Sequence, residues 1–127
     1  MKILKRIGII DIGSNSIRLV VFDGPKRSPL YLYNEKVFFR LGLQSFGKKA
    51  FDNATLKAVS RIINRYVAIC RNMEINKIIM FGTSALREAS NSNVLVELIR
   101  KNTNIRVDVI SGETEAFYAA QGILLGF

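Results

Sequence analysis

Two short apolar runs lie only five residues apart near the start of the chain, at residues 7–10 and 16–22. Both are rich in isoleucine and valine, which favour the pleated backbone, so both read as strands. Parallel strands need a crossover of a dozen residues or more, so a five-residue gap dictates an antiparallel hairpin. The gap reads Asp11-Ile12-Gly13-Ser14-Asn15. Gly13 and Asn15 tolerate positive φ, which suits a tight turn. A turn of this kind can aim backbone N–H groups and the hydroxyls of Ser14 and Ser16 into one concavity, a good seat for phosphate. Asp11, at the end of the first strand, offers a carboxylate that can hold a metal ion or a water beside it. A plain hairpin with small polar turn residues accounts for the same pattern equally well.

The rest of the chain alternates strand and helix. Residues 23–29 hold both prolines and read as a loop. Residues 30–39 read as a third strand, and 40–51 as an exposed connection with two glycines and two lysines. Asp52 or Asn53 can cap a first helix. Leu56, Val59, Ile63, Tyr66, Val67 and Cys70 then recur at helical spacing and define its buried stripe. Lys57, Arg61 and Arg65 lie on another face, where a solvated stripe is the simpler reading than an anion contact. Residues 77–82 form a fourth strand, followed by a helical turn at 85–89. Asn91 or Ser92 can cap a further helix with Leu95, Leu98 and Ile99 inward. Residues 107–110 form a fifth strand. A last helix starts at Ser111 or Gly112, with Ala116, Ala119, Ala120 and Ile123 on one side. The order is β-β-β-α-β-α-β-α. The first three strands should be antiparallel, and the two that follow helical crossovers should run parallel to the first. This is a ribonuclease H-like α/β pattern with a mixed five-stranded sheet and flanking helices. Ligands of open α/β sheets sit beyond the carboxyl ends of parallel strands. Asp11, Thr83 and Ser111 each lie at such an end.

Composition narrows the chemistry. The chain has 127 residues, enough for one domain with a modest core. Nineteen basic against ten acidic residues give a formal net charge of +9, which concentrates anions near the surface. Histidine is absent, so Ser-His-Asp triads and histidine-ligated metals are excluded within these residues. The single cysteine, Cys70, permits no internal disulfide and falls on the apolar helix stripe, where a buried inert thiol is expected. No G-x-x-x-x-G-K-S/T occurs, so a P-loop is excluded. Asp11 interrupts the N-terminal apolar run before a signal-peptide core forms, and no stretch reaches membrane-span length. The expected compartment is the cytoplasm, with no membrane partner.

The stretch D-I-G-S-N-S-I-R-L, residues 11–19, resembles the first phosphate motif of the exopolyphosphatase and guanosine pentaphosphate phosphohydrolase family, within the sugar kinase, Hsp70 and actin superfold. G-T-S-A-L-R-E-A at 82–89 and I-S-G-E-T-E-A at 110–116 agree in order and spacing, and Arg40-Leu41-Gly42 also fits. The resemblance runs from about residue 7 to residue 122. It implies that residues 1–127 are the first actin-like lobe of such a phosphatase. The family's second phosphate motif, an aspartate followed by a glycine run, does not occur in this chain. This lobe alone is therefore expected to be inactive, since half the cleft lies elsewhere.

The resemblance implies release of terminal orthophosphate from inorganic polyphosphate by metal-assisted attack of water, with Mg2+ as the divalent metal. Its alternative is the same chemistry on guanosine pentaphosphate (pppGpp). A further alternative is an ATP-binding lobe of the actin-like or sugar-kinase type, although D-I-G-S-N-S with S-G-x-x-E-A fits the phosphatases better. Gly13, Ser14, Asn15 and Ser16 would bind phosphate. Thr83 and Ser84 would add hydroxyls and N–H groups at a helix start. Arg87, one turn on, can form paired hydrogen bonds to phosphate oxygens; otherwise it would pair with Glu88 or Glu97 at the surface. Glu115, directly before the alanine of S-G-x-x-E-A, corresponds to the proposed catalytic base, and with Asp11 to a metal ligand. Acidic residues at 113 and 115 also stabilise a helix N-terminus through its dipole, which explains them without catalysis. Many family members carry glutamate where this chain has Thr114, so one carboxylate is missing. The expected partner is polyphosphate or a phosphorylated guanosine nucleotide. Nucleic acid is not expected, because the strands lack an aromatic stacking platform. A homodimer through later domains is compatible with the family.

Overall fold

The computed structural model describes residues 6–23, 31–42 and 50–120, the last three of these as backbone only. Five strands, β1 (Ile7–Ile12), β2 (Ser16–Phe22), β3 (Tyr31–Phe38), β4 (Lys77–Gly82) and β5 (Val107–Val109), form one sheet in the order β3-β2-β1-β4-β5. The helices are α1 (Asn53–Asn72), α2 (Ser84–Glu88), α3 (Ser92–Thr103) and α4 (Gly112–Ala120). β1, β2 and β3 are antiparallel neighbours, while β1, β4 and β5 are parallel, as the connection lengths require. The parallel strands therefore share one carboxyl end, and the turn after β1 and the starts of α2 and α4 meet there.

Alternation along the strands sorts the core. Ile10 and Ile12 of β1, Ile17, Leu19 and Val21 of β2 and Met80 of β4 are buried in one cluster with the α1 stripe. That stripe is the expected one: Leu56, Val59, Ile63, Tyr66, Val67 and Cys70 are all buried. Burial also pushes the Cys70 thiol up to about 11, which fits an inert side chain. Asp52 caps α1, its carboxylate accepting from the Thr55 N–H at 2.7 Å. The Tyr66 hydroxyl donates to Ile17 O at 2.8 Å, so its polar tip is satisfied inside the cluster. The opposite sheet face carries a row in register across all five strands: Lys36, Arg18, Asp11, Phe81 and Asp108.

Several expectations need correction. β1 runs two residues further than the apolar run, so Asp11 sits within the strand. The connection after β3 is not wholly exposed, because Leu41 and Phe51 are buried; residues 43–49 lie outside the described ones, as does most of the proline-containing loop. Asn91 precedes α3 but its side chain does not cap it. It donates to Phe51 O and accepts from Phe51 N–H, pinning the segment that leads into α1. In α4, Ala116, the described residue of the expected apolar side, is exposed, and so is Phe117 on another side, at 59%. Arg65 on the basic face of α1 is ion-paired with Glu35 of β3. No helix among the described residues is long and apolar enough to cross a membrane.

Candidate active site

The turn after β1 is held from three sides. Gly13 N–H donates to Ser16 O at 2.9 Å and closes the turn itself. The carbonyls of Ser14 and Asn15 accept from Gly42 N–H and Phe39 N–H, each at 3.0 Å. Thr83 N–H donates to Ile12 O at 3.2 Å, and Ser14 Oγ lies 2.5 Å from Ser84 Oγ. With their carbonyls fixed towards the exit of β3, Ser14 and Asn15 present N–H groups that take no partner among the described residues. These are the donors a phosphate would meet. The turn does not use left-handed backbone at either Gly13 or Asn15. Glycine is favoured at 13 by crowding instead, since a Cβ there would stand 3.2 Å from Ser16 O.

Thr83 and Ser84 follow β4. Thr83 is buried, and its carbonyl accepts from the N–H groups of Leu86 and Arg87. α2 has five residues, a single turn, so its dipole adds little, and hydroxyls and N–H groups carry its part in the site. A Cβ on Gly82 would meet Leu86 Cδ2 at 2.4 Å, so glycine lets this turn fold back on its own strand.

Arg87 does not pair with Glu88 or Glu97; Glu97 is engaged with Arg100. Arg87 Nη1 donates to Ile110 O at 2.8 Å and to Glu115 Oε2 at 3.3 Å. The side chains of Arg87 and Glu115 are 29% and 37% exposed, so the pair borders solvent. Its remaining N–H groups take no partner among the described residues, and an arginine has five. One guanidinium can thus hold the carboxylate and still meet phosphate oxygens. The Ile110 carbonyl, which sets Arg87's direction, could not be found from sequence because backbone acceptors carry no residue-type signal.

Ser111 starts α4. Its Oγ accepts from Thr114 N–H at 3.1 Å and donates to Thr114 Oγ1 at 2.9 Å, while Glu115 N–H donates to Ser111 O at 2.9 Å. Ser111 Oγ therefore caps the start of α4, with Thr114 as both its donor and its acceptor, and this fixes the helix start that carries Glu115.

Asp11 is the most perturbed group here. Its Oδ1 is buried and takes no hydrogen bond. Burial pushes its pKa up to about 6, and the nearby Glu115 carboxylate adds to the rise, while Arg18 and Lys36 oppose it. Arg18 lies beside Asp11 in strand register and Lys36 one strand further along the same row, which follows once the turn length fixes the pairing Asp11↔Arg18. An unsatisfied buried carboxylate oxygen that feels the charge of a second carboxylate is a fit for a small hard cation. Among the described residues no group of three metal-ligating side chains occurs. That is compatible with Mg2+, which takes one or two carboxylates and fills its shell with waters and substrate phosphates.

Residues 9–127 match the model of the Ppx/GppA phosphatase family. The chain belongs to that family. It is 32% identical over 114 residues to exopolyphosphatase 1 of Mycobacterium leprae, covering 87% of this chain and 33% of the relative. Among solved structures, an exopolyphosphatase from Cytophaga hutchinsonii superposes with a TM-score of 0.83 at 34% identity, covering 89% of this chain and 36% of that one. The Aquifex aeolicus family member superposes with a TM-score of 0.85 at 21% identity, covering 92% and 38%, a likeness of fold. The chain thus spans little more than a third of these proteins. Its phosphatase-family membership and ribonuclease H-like lobe agree with the sequence motifs.

Proposed function

We propose that this chain is the first lobe of a cytoplasmic exopolyphosphatase, which releases terminal orthophosphate from inorganic polyphosphate with Mg2+. The observation that carries this reading is the junction of three distant segments at one sheet end. The Ser14 and Asn15 N–H groups, which take no partner among the described residues, the Ser14–Ser84 contact and the Arg87–Glu115 pair all lie where the turn after β1 and the starts of α2 and α4 come together. The relatives named exopolyphosphatase and the net charge of +9 support a polyanionic substrate.

In this reading, Ser14 and Asn15 N–H groups receive the terminal phosphoryl oxygens. Arg87 spreads its free N–H groups over the same oxygens and holds Glu115 with Nη1. Glu115 accepts a hydrogen bond from the attacking water and aligns it with the phosphorus. Asp11 and Glu115 would hold Mg2+, which when bound neutralises charge on the transferred group. The second lobe of the cleft is supplied by further chain, in line with relatives almost three times as long, and residues 1–127 alone turn nothing over.

The test is phosphate release by the product of the complete open reading frame, in Mg2+, from long-chain polyphosphate and from guanosine pentaphosphate side by side. Faster release from polyphosphate supports the reading. Faster release from the nucleotide transfers the same machinery to that substrate, and cleavage of neither refutes hydrolysis by this site.

A further inference from the structure

Two hydroxyls bonded to each other hold two protons, and one of these lies between the oxygens. Ser14 Oγ and Ser84 Oγ stand 2.5 Å apart, so the pair has one proton left for a ligand. Counted singly, the two serines look like two phosphate donors; as a pair they are one. Their surroundings are unequal. Ser14 is fixed through its carbonyl by Gly42 N–H, and its own N–H, which takes no partner among the described residues, lies beside that of Asn15. Ser84 opens a single helical turn whose carbonyl acceptor, Thr83 O, is already taken by two N–H groups. Ligand oxygens therefore gather at the turn, where Ser14 stands.

Resting on the phosphohydrolase reading above, we propose that Ser84 is a positioning residue that acts through Ser14. Its hydroxyl donates to Ser14 Oγ, and this sends the Ser14 proton towards the phosphoryl oxygen that the Ser14 and Asn15 N–H groups also meet. A serine side chain without such a partner samples three staggered rotamers, only one of which aims correctly. The contact also ties the start of α2 to the β1–β2 turn, beside the Thr83 N–H to Ile12 O bond. The spacing between the two phosphate motifs is thereby set before a ligand arrives.

The experiment is calorimetric titration of the product of the complete open reading frame, without divalent metal so that no turnover occurs, with inorganic tripolyphosphate, for wild type, Ser14→Ala, Ser84→Ala, the double variant and Ser84→Thr. Ser14→Ala should weaken binding about tenfold and Ser84→Ala about fivefold, from the loss of one ordinary hydrogen bond each. The double variant should also lose about tenfold, not the roughly fiftyfold of independent donors. Ser84→Thr keeps the hydroxyl and should bind within about twofold of wild type. Multiplicative losses, or a threonine variant as weak as the alanine one, overturn the assignment while leaving tripolyphosphate binding in place. A wild type that binds no tripolyphosphate removes the phosphohydrolase reading and this assignment together. Amide exchange at Gly42, whose N–H is bonded to Ser14 O, gives a ligand-free check. It should quicken in Ser84→Ala and not in Ser84→Thr, and equal rates in both count against the link.

Discussion

At the β1–β2 turn, Ser14 and Asn15 are tied by backbone bonds to residues 42 and 39 and by a hydroxyl contact to Ser84. Glu115, by contrast, hangs from the first turn of a helix that follows a three-residue edge strand, and one arginine orients its carboxylate. The first region is over-determined and the second is lightly held. Donors that meet charge on a phosphoryl group work best when already in place, because they then cost no reorganisation. A carboxylate that must accept a water and a cation gains from partial exposure and a single partner it can share. In the proposed function, the difference separates a preorganised binding wall from an adjustable reacting one.

The sharpest way to break that contrast is Glu115→Gln, which keeps the shape and removes the charge. In the product of the complete reading frame, phosphate release should fall about 10²–10⁴-fold, as for loss of a general base, with the Michaelis constant nearly unchanged. A variant that loses substrate affinity at unchanged turnover would place Glu115 on the binding wall instead.

Next in size is Asp11. Its folded-state pKa of about 6 lies above its ordinary 3.8, so the folded chain holds this proton more tightly than the unfolded one. Its burial is harmless below about pH 4 and increasingly destabilising as pH rises to about 6, after which the cost is constant. Asp11→Asn should stabilise the chain at pH 7 by up to about 3 kcal/mol and flatten its stability between pH 4 and 6. Urea midpoints across that range decide this; an unchanged slope would show that Asp11 is not the buried acid responsible.

Gly82→Ala tests how tightly the binding wall is packed. The added Cβ meets Leu86 Cδ2 at 2.4 Å and Leu86 Cγ at 3.1 Å, and overpacking of this kind costs about 1–3 kcal/mol. Thermal unfolding at unchanged stability would mean that Leu86 turns aside freely. On the reacting wall, Ser111→Ala removes the acceptor of the Thr114 N–H and should cost about 1 kcal/mol. The loss should appear as faster amide exchange confined to the start of α4. Spread of that effect to the β1–β2 turn would erase the distinction between the two walls.

The elements were legible because their causes are local. The α1 stripe follows from the 3.6-residue period, the Asp52 cap from a carboxylate one residue before the helix, and the strand directions from which gaps are long enough for a crossover. Motif placement was legible for the same reason: parallel strands end together, which brings Asp11, Thr83 and Ser111 to one rim. The α4 surface was not legible, since alanines and phenylalanine say nothing about whether a neighbour covers them. Nor was the side chain of Asn91, a good cap by type that is occupied by both polar groups of Phe51, 40 residues away.

What residue type and spacing settle is how the backbone turns, because sterics and periodicity act over a few residues. Which polar groups find each other is a competition among all acceptors brought near by folding. Arg87 had Glu88 and Glu97 as candidate partners and took Glu115, 28 residues on. Ser14 met Ser84 across 70 residues. Asp11 acquired its raised pKa only when packing removed water from one of its oxygens and the start of α4 set a second carboxylate near it. Desolvation and partner choice belong to the assembled structure, since both depend on distances that no local stretch of chain specifies.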